Sequence, residues 1–248
     1  MKLLITIPCF NEELVLQKTV FSIMEYANNS LSSFDWKILI IDNNSSDSTF
    51  KIANSLRDRF VGKVIVRQEK APGRGIAIRS VWSTLKDFDV YSYMDADLAT
   101  DIKDFSFIVD EVKNGYDLVT GSRYVPYADV KRDVKRKILS RIYNFIIKII
   151  LKVSFKDAQC GFKAFSRRIV EDLIPKTKDD GWFWDTELMI LAELEGFRIL
   201  EVPVSWREVR DELRQSKVSH WSESVKQLRN IKKMRSKLAS GFYGKKFI

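Results

Sequence analysis

The stretch YSYMDADLAT, residues 91–100, joins a buried-strand pattern to two closely spaced carboxylates. Residues 88–94 have the apolar character of a strand that ends at open space, and Asp95 and Asp97 follow with only Ala96 between them. Carboxylates this close repel each other, and each favours protonation of the other. Two interpretations are open from these residues alone. The acids are solvated and cap the next helix, or they bind a divalent cation, since Mg²⁺ usually takes one or two protein carboxylates.

The residues on both sides of this stretch alternate between short apolar runs and helical patterns. Strands are predicted at 2–7, 36–41, 63–67, 89–94 and 117–121, and helices at 12–28, 47–59, 75–87 and 102–114. This alternation predicts an α/β fold with a mostly parallel sheet flanked by helices. Ligands of such sheets bind beyond the carboxyl ends of the strands. Three polar segments are expected to meet at that edge: PCFNEE (8–13), DNNSSDST (42–49) and DADLAT (95–100).

The second half of the chain is less regular. A basic amphipathic helix is predicted at 134–153, a helix from about Asp185, a strand in FRILEVPVSW (197–206) and a last basic helix at 219–238. We therefore expect one domain over 1–218, with a first half at about 1–125 and a second half at about 126–218. Residues 219–248 are expected to form a C-terminal amphipathic helical elaboration that contacts a membrane.

Composition narrows the possible chemistry and partners. The single histidine, His220, argues against His-based metal sites and Ser-His-Asp catalysis, and Cys9 and Cys160 form no CxxC pair. Residues 131–156 and 207–248 each carry a net charge of +8, so the rest of the chain sums to −7 within a total of +9. A basic patch on an acidic body leaves nucleic acid, an anionic membrane and a phosphorylated substrate open as partners.

Seven motifs occur in a fixed order: IPCFNEE, IDNNSSDST, GRGIAIR, MDADLAT, GSRY, DAQCGFKAFS and DTELMILAE followed by EVPVSW. They resemble the motifs of family 2 glycosyltransferases with the GT-A fold. Among these they are most similar to the polyprenyl-phosphate hexose synthases of the dolichyl-phosphate glucosyltransferase type. The likeness covers roughly residues 2–220. It implies a nucleotide-sugar donor, bound by the half at about 1–125, and a polyprenyl-phosphate acceptor, bound by the half at about 126–218.

For the donor base and ribose, the resemblance assigns roles to the first two motifs. Asp42 would accept the base N–H, and Pro8, Phe10 and Glu12 would line the base and ribose. Phe10 stands where tyrosine is common in the family. From the residues alone, Glu12 is also consistent with a first-turn helix acid favoured by the helix dipole, and Asp47 with a helix cap.

For the donor diphosphate, the resemblance points to cationic side chains and to the paired acids. Arg74 and Arg79 of GRGIAIR would lie near the diphosphate, and Lys217 of QSKV would close over it. Asp97 resembles the family's direct metal ligand, and Asp95 would bind the metal or the ribose. The expected cofactor is Mg²⁺ or Mn²⁺.

The residue at position 99 bears on the choice of sugar. Mannose synthases of the family often have glutamine where this chain has Ala99, and DADLAT is closer to the form found in the glucosyl enzymes. The resemblance therefore favours UDP-glucose over GDP-mannose.

For the acceptor, Arg123 of GSRY, with Arg136 and Ser140 on one helix face, resembles the lipid-phosphate contacts of the mannose synthases. Arginine suits this role because its fork binds phosphate oxygens bidentately. Asp185 or Glu187 would position acceptor or sugar, and capping remains the alternative for both. A phosphate monoester with a second pKa near 6 is already a nucleophile near pH 7, so no strong general base is required.

The apolar stretch RIYNFIIKIILKVSF, 141–155, is interrupted by lysines and is not expected to cross a bilayer. It is either a buried core helix or an interfacial helix that receives a polyprenyl chain. With its basic surroundings it predicts a peripheral protein on the cytoplasmic face of a membrane. A nucleic-acid-binding protein is the rival of another class, but the acidic body argues against it, and a glycan acceptor is the nearer rival.

Overall fold

The protein is described by a computed structural model over residues 1–208, 220–244 and 247. Its strands are β1 Lys2–Cys9, β2 Asp35–Asp42, β3 Val64–Gln68, β4 Val90–Met94, β5 Leu118–Ser122, β6 Asp129–Lys131, β7 Phe162–Ser166, β8 Ile199–Pro203 and β9 Ser205–Arg207. Its α-helices are α1 Leu16–Ser30, α2 Thr49–Arg59, α3 Arg74–Trp82, α4 Phe105–Lys113, α5 Val134–Leu151, α6 Trp184–Leu194 and α7 His220–Ser240.

Seven of the strands form one sheet in the order β3-β2-β1-β4-β7-β5-β8, and β6 pairs with β9 separately. Neighbours in the large sheet are parallel except at β7, which runs antiparallel to β4 and to β5. The predicted mostly parallel sheet flanked by helices is confirmed. However, β7 comes from the second half of the chain and lies between two strands of the first half. The two predicted halves therefore share one sheet.

Both faces of the sheet are buried, which explains the apolar runs in its central strands. Successive side chains point to opposite faces of a strand. Leu4 and Leu39 accordingly join the core on one face, together with the rings of Trp82, Tyr93 and Trp184. Neighbouring residues such as Ile5 and Ile40 join the core on the other face. Polar groups collect where the strands end.

Two helices differ from their predicted bounds by four residues or more at one end, because polar side chains bond to nearby backbone. Helix α1 begins at Leu16 rather than 12, since the Asn11 and Glu12 amides donate to the Ser45 and Thr49 hydroxyls at 2.9 and 2.7 Å. Helix α3 ends at Trp82 rather than 87. There the Ser83 and Thr84 hydroxyls donate to carbonyls of α3, at 2.7 and 2.8 Å.

The C-terminal segment predicted as a membrane-contacting elaboration is also part of the core. Ile231, Met234 and Leu238 of α7 are buried, and so is Tyr243 after the helix. All four belong to the same cluster as Ile147 of α5. The chain beyond α7 therefore contributes a side chain, that of Tyr243, to the core. None of the helices in the described part of the chain is long and apolar enough to cross a bilayer.

Candidate active site

The acidic turn after β4 is held by backbone contacts on both sides. The Asp95 amide donates to the Gly161 carbonyl at 3.1 Å, and the Asp97 carboxylate accepts from the Ala99 amide at 3.1 Å. Directly after the second acid, Leu98 has a φ of +49°, which is uncommon for a residue with a side chain. A bridge between Thr100 and Trp206 fixes the end of the turn. The two carboxylates are thus carried by a turn whose backbone is fixed by hydrogen bonds.

Arg74 joins the acidic turn to helix α6. Its guanidinium donates to Asp95 and to Asp185, the latter at 3.3 Å, and lies 4.3 Å from the ring centre of Trp182. Burial disfavours the charged form of Arg74, but Asp95 and Asp185 outweigh it and hold its pKa above the ordinary value. The structure therefore brings three of the predicted site residues, Arg74, Asp95 and Asp185, into one charged cluster.

Two buried polar side chains, those of Tyr93 and Lys163, lie beside the Asp185 carboxylate. The Tyr93 hydroxyl donates to that carboxylate, and burial together with Asp185 raises the pKa of Tyr93. The Lys163 ammonium lies 3.9 Å from Asp185 and donates to the carbonyls of Ala158 and Cys160 at 3.0 and 2.5 Å. Sequence reasoning missed both supporting residues, because each lies inside an apolar strand.

Gly161 leaves room for the acidic turn. A Cβ atom at this position would overlap the carboxylate of Asp95. The glycine in DAQCGFKAFS therefore has a steric function, since a side chain there would displace the carboxylate that Arg74 binds.

Asp42 ends β2 in full burial, one strand away from β4 across β1. Its Oδ2 accepts from the side-chain amide of Gln68 at 3.0 Å and from the backbone amide of Ser45 at 3.4 Å. Its Oδ1 is buried and has no hydrogen-bond partner among the described residues. An orphaned buried acceptor costs about 1–3 kcal/mol, so a ligand N–H reaching it would relieve that cost.

The other residues predicted to line the base and ribose lie near this strand end. Pro8 pairs with Ile41 in the sheet register, and the Phe10 side chain is 49% exposed just beyond β1. The Glu12 amide bonds to the first residue of α2, as described above. Asp47 accepts from the Thr49 amide at 2.9 Å, although the residue at the N-cap position of α2 is Ser48.

Asn43 is a further polar residue that sequence reasoning missed. Its amide nitrogen donates to the carbonyls of Glu69 and Ala71 at 3.1 and 2.6 Å, and its oxygen accepts from the Gly73 amide at 2.8 Å. These bonds fix the chain that leads into Arg74. The position directly after Asp42 was the only signal for it in the sequence.

The predicted acceptor residues have intramolecular partners. Arg123 binds the fully buried Asp157 in a fork, at 2.7 and 2.8 Å, and this pair was not predicted. Burial raises the pKa of Asp157, but Arg123 outweighs it and holds that pKa below its ordinary value. Ser140 accepts from Arg132 at 2.9 Å. The side chain of Arg136 and the whole of Lys217 lie outside the described residues.

Arg79 and Glu187 both bond to the turn formed by residues 178–181. Arg79 donates to Asp180 and to the carbonyl of Asp179, so it holds the 178–181 turn. Glu187 is 1% exposed, and its carboxylate accepts from the Lys178 and Asp179 amides at 2.8 and 2.7 Å. The sequence assigned these residues to a diphosphate and to acceptor or sugar. In the structure both side chains bond to one turn, and those roles remain predictions.

The paired acids suit one class of metal site. In the described part of the chain, no three His, Cys, Asp or Glu side chains are grouped to hold a metal ion. Asp95 and Asp97 supply two carboxylates in one turn, and the Asp95 side chain is 35% exposed. That donor set fits Mg²⁺ or Mn²⁺, which complete their coordination with water and substrate phosphates.

Comparison with known proteins identifies the family. The family model described as Glycosyl transferase family 2 matches residues 4–174, more than half of the chain. The chain belongs to glycosyltransferase family 2. Among curated relatives of this family 2 chain, Glycosyltransferase AglD of Haloferax volcanii is 33% identical over 208 residues, covering 84% of this chain and 33% of AglD. The dolichyl-phosphate beta-glucosyltransferase of Dictyostelium discoideum is 29% identical over 252 residues, covering 96% of this chain and 75% of that enzyme.

Solved structures support the same family fold. Glucosyl-3-phosphoglycerate synthase from Mycobacterium tuberculosis in complex with UDP has a TM-score of 0.68 at 16% identity, covering 95% of this chain and 80% of that one. Its complex with Mn²⁺, UDP and phosphoglyceric acid has a TM-score of 0.66 at 18% identity, covering 96% and 78%. The predicted family and the predicted GT-A fold are confirmed.

Proposed function

We propose that this family 2 glycosyltransferase moves glucose from UDP-glucose onto dolichyl or polyprenyl phosphate, with inversion at the anomeric carbon. It would form a lipid-linked sugar donor for protein glycosylation on the cytoplasmic face of a membrane. The curated dolichyl-phosphate beta-glucosyltransferase from Dictyostelium supports the acceptor and the sugar. Ala99, where mannose synthases often have glutamine, supports glucose over mannose.

The observation that carries this proposal is the arrangement at the carboxyl edge of the sheet. The orphaned Oδ1 of Asp42 suits the imide N–H of uracil, and the Arg74–Asp95–Asp185 cluster suits a diphosphate and its sugar. These two features lie at the ends of β2 and β4, which flank β1. A nucleotide laid across these strand ends would engage both.

The chain's own residues have defined tasks in this reaction. Asp95 and Asp97 would hold Mg²⁺ or Mn²⁺, which when bound neutralises the departing nucleotide diphosphate. Arg74 is placed to bind diphosphate oxygens, because it is cationic at any working pH and already lies beside Asp95. Asp185, held by Tyr93 and Lys163, would orient the sugar. The acceptor phosphate attacks as a dianion, so no histidine is needed.

Helix α5 supports a membrane-bound acceptor. One side packs into the core through Ile147 and Leu151. The other side exposes five apolar side chains spaced by three or four residues, so they share one face: Val134 68%, Ile138 53%, Ile142 49%, Phe145 62% and Ile149 61%. A cavity of about 160 Å³ beside this face is lined by rings and cations, among them Tyr124, Phe155, Arg141 and Lys148. An interfacial helix has this character.

The proposal is tested by incubating the purified chain with dolichyl phosphate, Mn²⁺ and one labelled donor at a time. We expect kcat/KM for UDP-glucose to exceed that for GDP-mannose and UDP-N-acetylglucosamine by about tenfold or more, because contacts to hydroxyl groups discriminate strongly. A higher value for GDP-mannose would instead make the chain a mannose synthase. Salt-sensitive binding of arbitrary oligonucleotides without sugar transfer would overturn the proposal altogether.

The exposed face of α5 gives a second prediction. Phe145→Asp should weaken binding to anionic liposomes by about tenfold or more, because burying a phenylalanine side chain contributes roughly 1.5–3 kcal/mol. Co-sedimentation measures the effect, and turnover of a short, detergent-soluble polyprenyl phosphate should persist. The matched control is Phe107→Asp on α4, where the phenylalanine is 53% exposed. Equal losses in both variants would contradict a specific role for α5.

A further inference from the structure

Tyr243 ties the C-terminal segment to the interior of the protein. It follows α7, its side chain is buried at 8% exposure, and its hydroxyl donates to Oε1 of Glu187 at 2.5 Å. Burial and the neighbouring Glu187 both raise the pKa of Tyr243, so the hydroxyl remains a donor at neutral pH. The turn that follows α7 is thus bonded to a buried carboxylate of α6.

Glu187 connects Tyr243 to the turn at residues 178–181. While Oε1 accepts from Tyr243, Oε2 accepts from the Lys178 and Asp179 amides. No cation pairs with Glu187 among the described residues. The charge is therefore compensated by three hydrogen bonds, and each one lost leaves a buried oxygen less satisfied.

The turn at residues 178–181 also packs against the start of α3. The Ile76 amide donates to the Asp180 carbonyl at 3.2 Å. A Cβ atom at Gly73 would overlap that same carbonyl, and one at Gly75 would overlap the carbonyl of Asp179. Between these two glycines lies Arg74, the residue that binds Asp95 and Asp185. The position of the turn therefore sets the position of Arg74.

We propose that Tyr243 is a positioning residue for the donor site, acting through Glu187 and the 178–181 turn on Arg74. The inference rests on the proposed function in so far as Arg74 binds the donor diphosphate. It gives the C-terminal segment, which the sequence assigned to membrane contact, a task in nucleotide-sugar recognition. Loss of the Tyr243 hydroxyl loosens the turn without touching the acceptor side of the protein.

The test is Tyr243→Phe, which removes one oxygen and keeps the buried ring. We expect KM for UDP-glucose and Kd for UDP with Mn²⁺ to rise by about tenfold, because a hydrogen bond to a charged group is lost. KM for the acceptor should stay unchanged. In Glu187→Gln the side chain has one acceptor oxygen, so it cannot accept from Tyr243 and from the turn amides at the same time. This variant should also raise KM for UDP-glucose and Kd for UDP with Mn²⁺. The matched control is Tyr91→Phe, whose buried ring has a hydroxyl that donates to the Leu85 carbonyl at 2.7 Å, away from the turn.

A second measurement does not depend on turnover. Hydrogen exchange should speed up at the Lys178, Asp179 and Ile76 amides in Tyr243→Phe and not in Tyr91→Phe. Unchanged donor constants in Tyr243→Phe, or the same rise in the Tyr91 control, would overturn the proposal. If the wild-type chain neither binds UDP nor transfers sugar, the proposed function fails. The exchange data then still decide whether Tyr243 holds the turn and α3 together.

Discussion

Replacing Asp97 with asparagine is expected to lower kcat/KM for sugar transfer by about a thousandfold, or roughly 4 kcal/mol of barrier. A neutral amide cannot anchor the cation that neutralises the departing diphosphate. The fold should survive, because the amide oxygen of asparagine can still accept from the Ala99 amide as the carboxylate does. Transfer assays and calorimetric titration with Mn²⁺ measure the two losses together.

The matched control for this variant is Asp101→Asn, four residues further along the chain. The Asp101 carboxylate also accepts a local amide, that of Lys103 at 3.1 Å, and has an ion pair with the same residue. Its substitution should leave activity close to wild type. Full activity of Asp97→Asn, or undiminished wild-type activity in excess EDTA, would contradict a metal at this turn.

Asp157→Ala is expected to lower the free energy of unfolding by about 3–5 kcal/mol, the usual result of breaking a buried ion pair. The Arg123 guanidinium would remain buried without its carboxylate, and the amides of Arg123 and Gln159 would lose an acceptor. Urea denaturation at pH 7 measures this change. By comparison, Asp58→Ala breaks a pair whose side chains are 48% and 69% exposed, and should cost about 1 kcal/mol or less.

The same pair predicts a pH dependence. The pKa of Asp157 is lower in the folded protein than the ordinary value of 3.8, so its pairing stabilises the fold above that value. The contribution disappears as the pH falls below 3.8 and through the folded-state pKa. The gap in stability between wild type and Asp157→Ala should therefore narrow in acid. A gap that stays constant down to the acid transition would show that packing, rather than charge, accounts for the loss.

The sequence predicted the features that depend on neighbouring residues. Five strands were located to within two residues at each end, because each is an apolar run bounded by polar turns. The acidic turn was placed correctly for the same reason, since Asp95 follows directly on the buried strand β4. The role of Arg74 came only from the family resemblance. The structure adds that Arg74 binds Asp95 and Asp185 at the same time, which the motif does not indicate.

What the sequence did not predict are pairings between distant parts of the chain. Asp157 lies 34 residues from Arg123, and Tyr243 lies 56 residues from Glu187. Lys163 is wholly buried in a strand, a placement that is rare for lysine and has no local signature. Each of these contacts depends on which strands become neighbours, and a pattern of apolar residues does not specify that order.

The place of β7 in the sheet has a consequence for biosynthesis. The consecutive strands β4 and β5 are not neighbours, and the gap between them is filled only by residues 162–166. A nascent chain that has left the ribosome only as far as β5 therefore carries unpaired strand edges, which favour association with other chains. It also lacks Gly161, whose carbonyl accepts from the Asp95 amide. Residues 1–125 synthesised alone are expected to aggregate rather than bind nucleotide, since β7, the strand that joins β4 to β5, is synthesised only later.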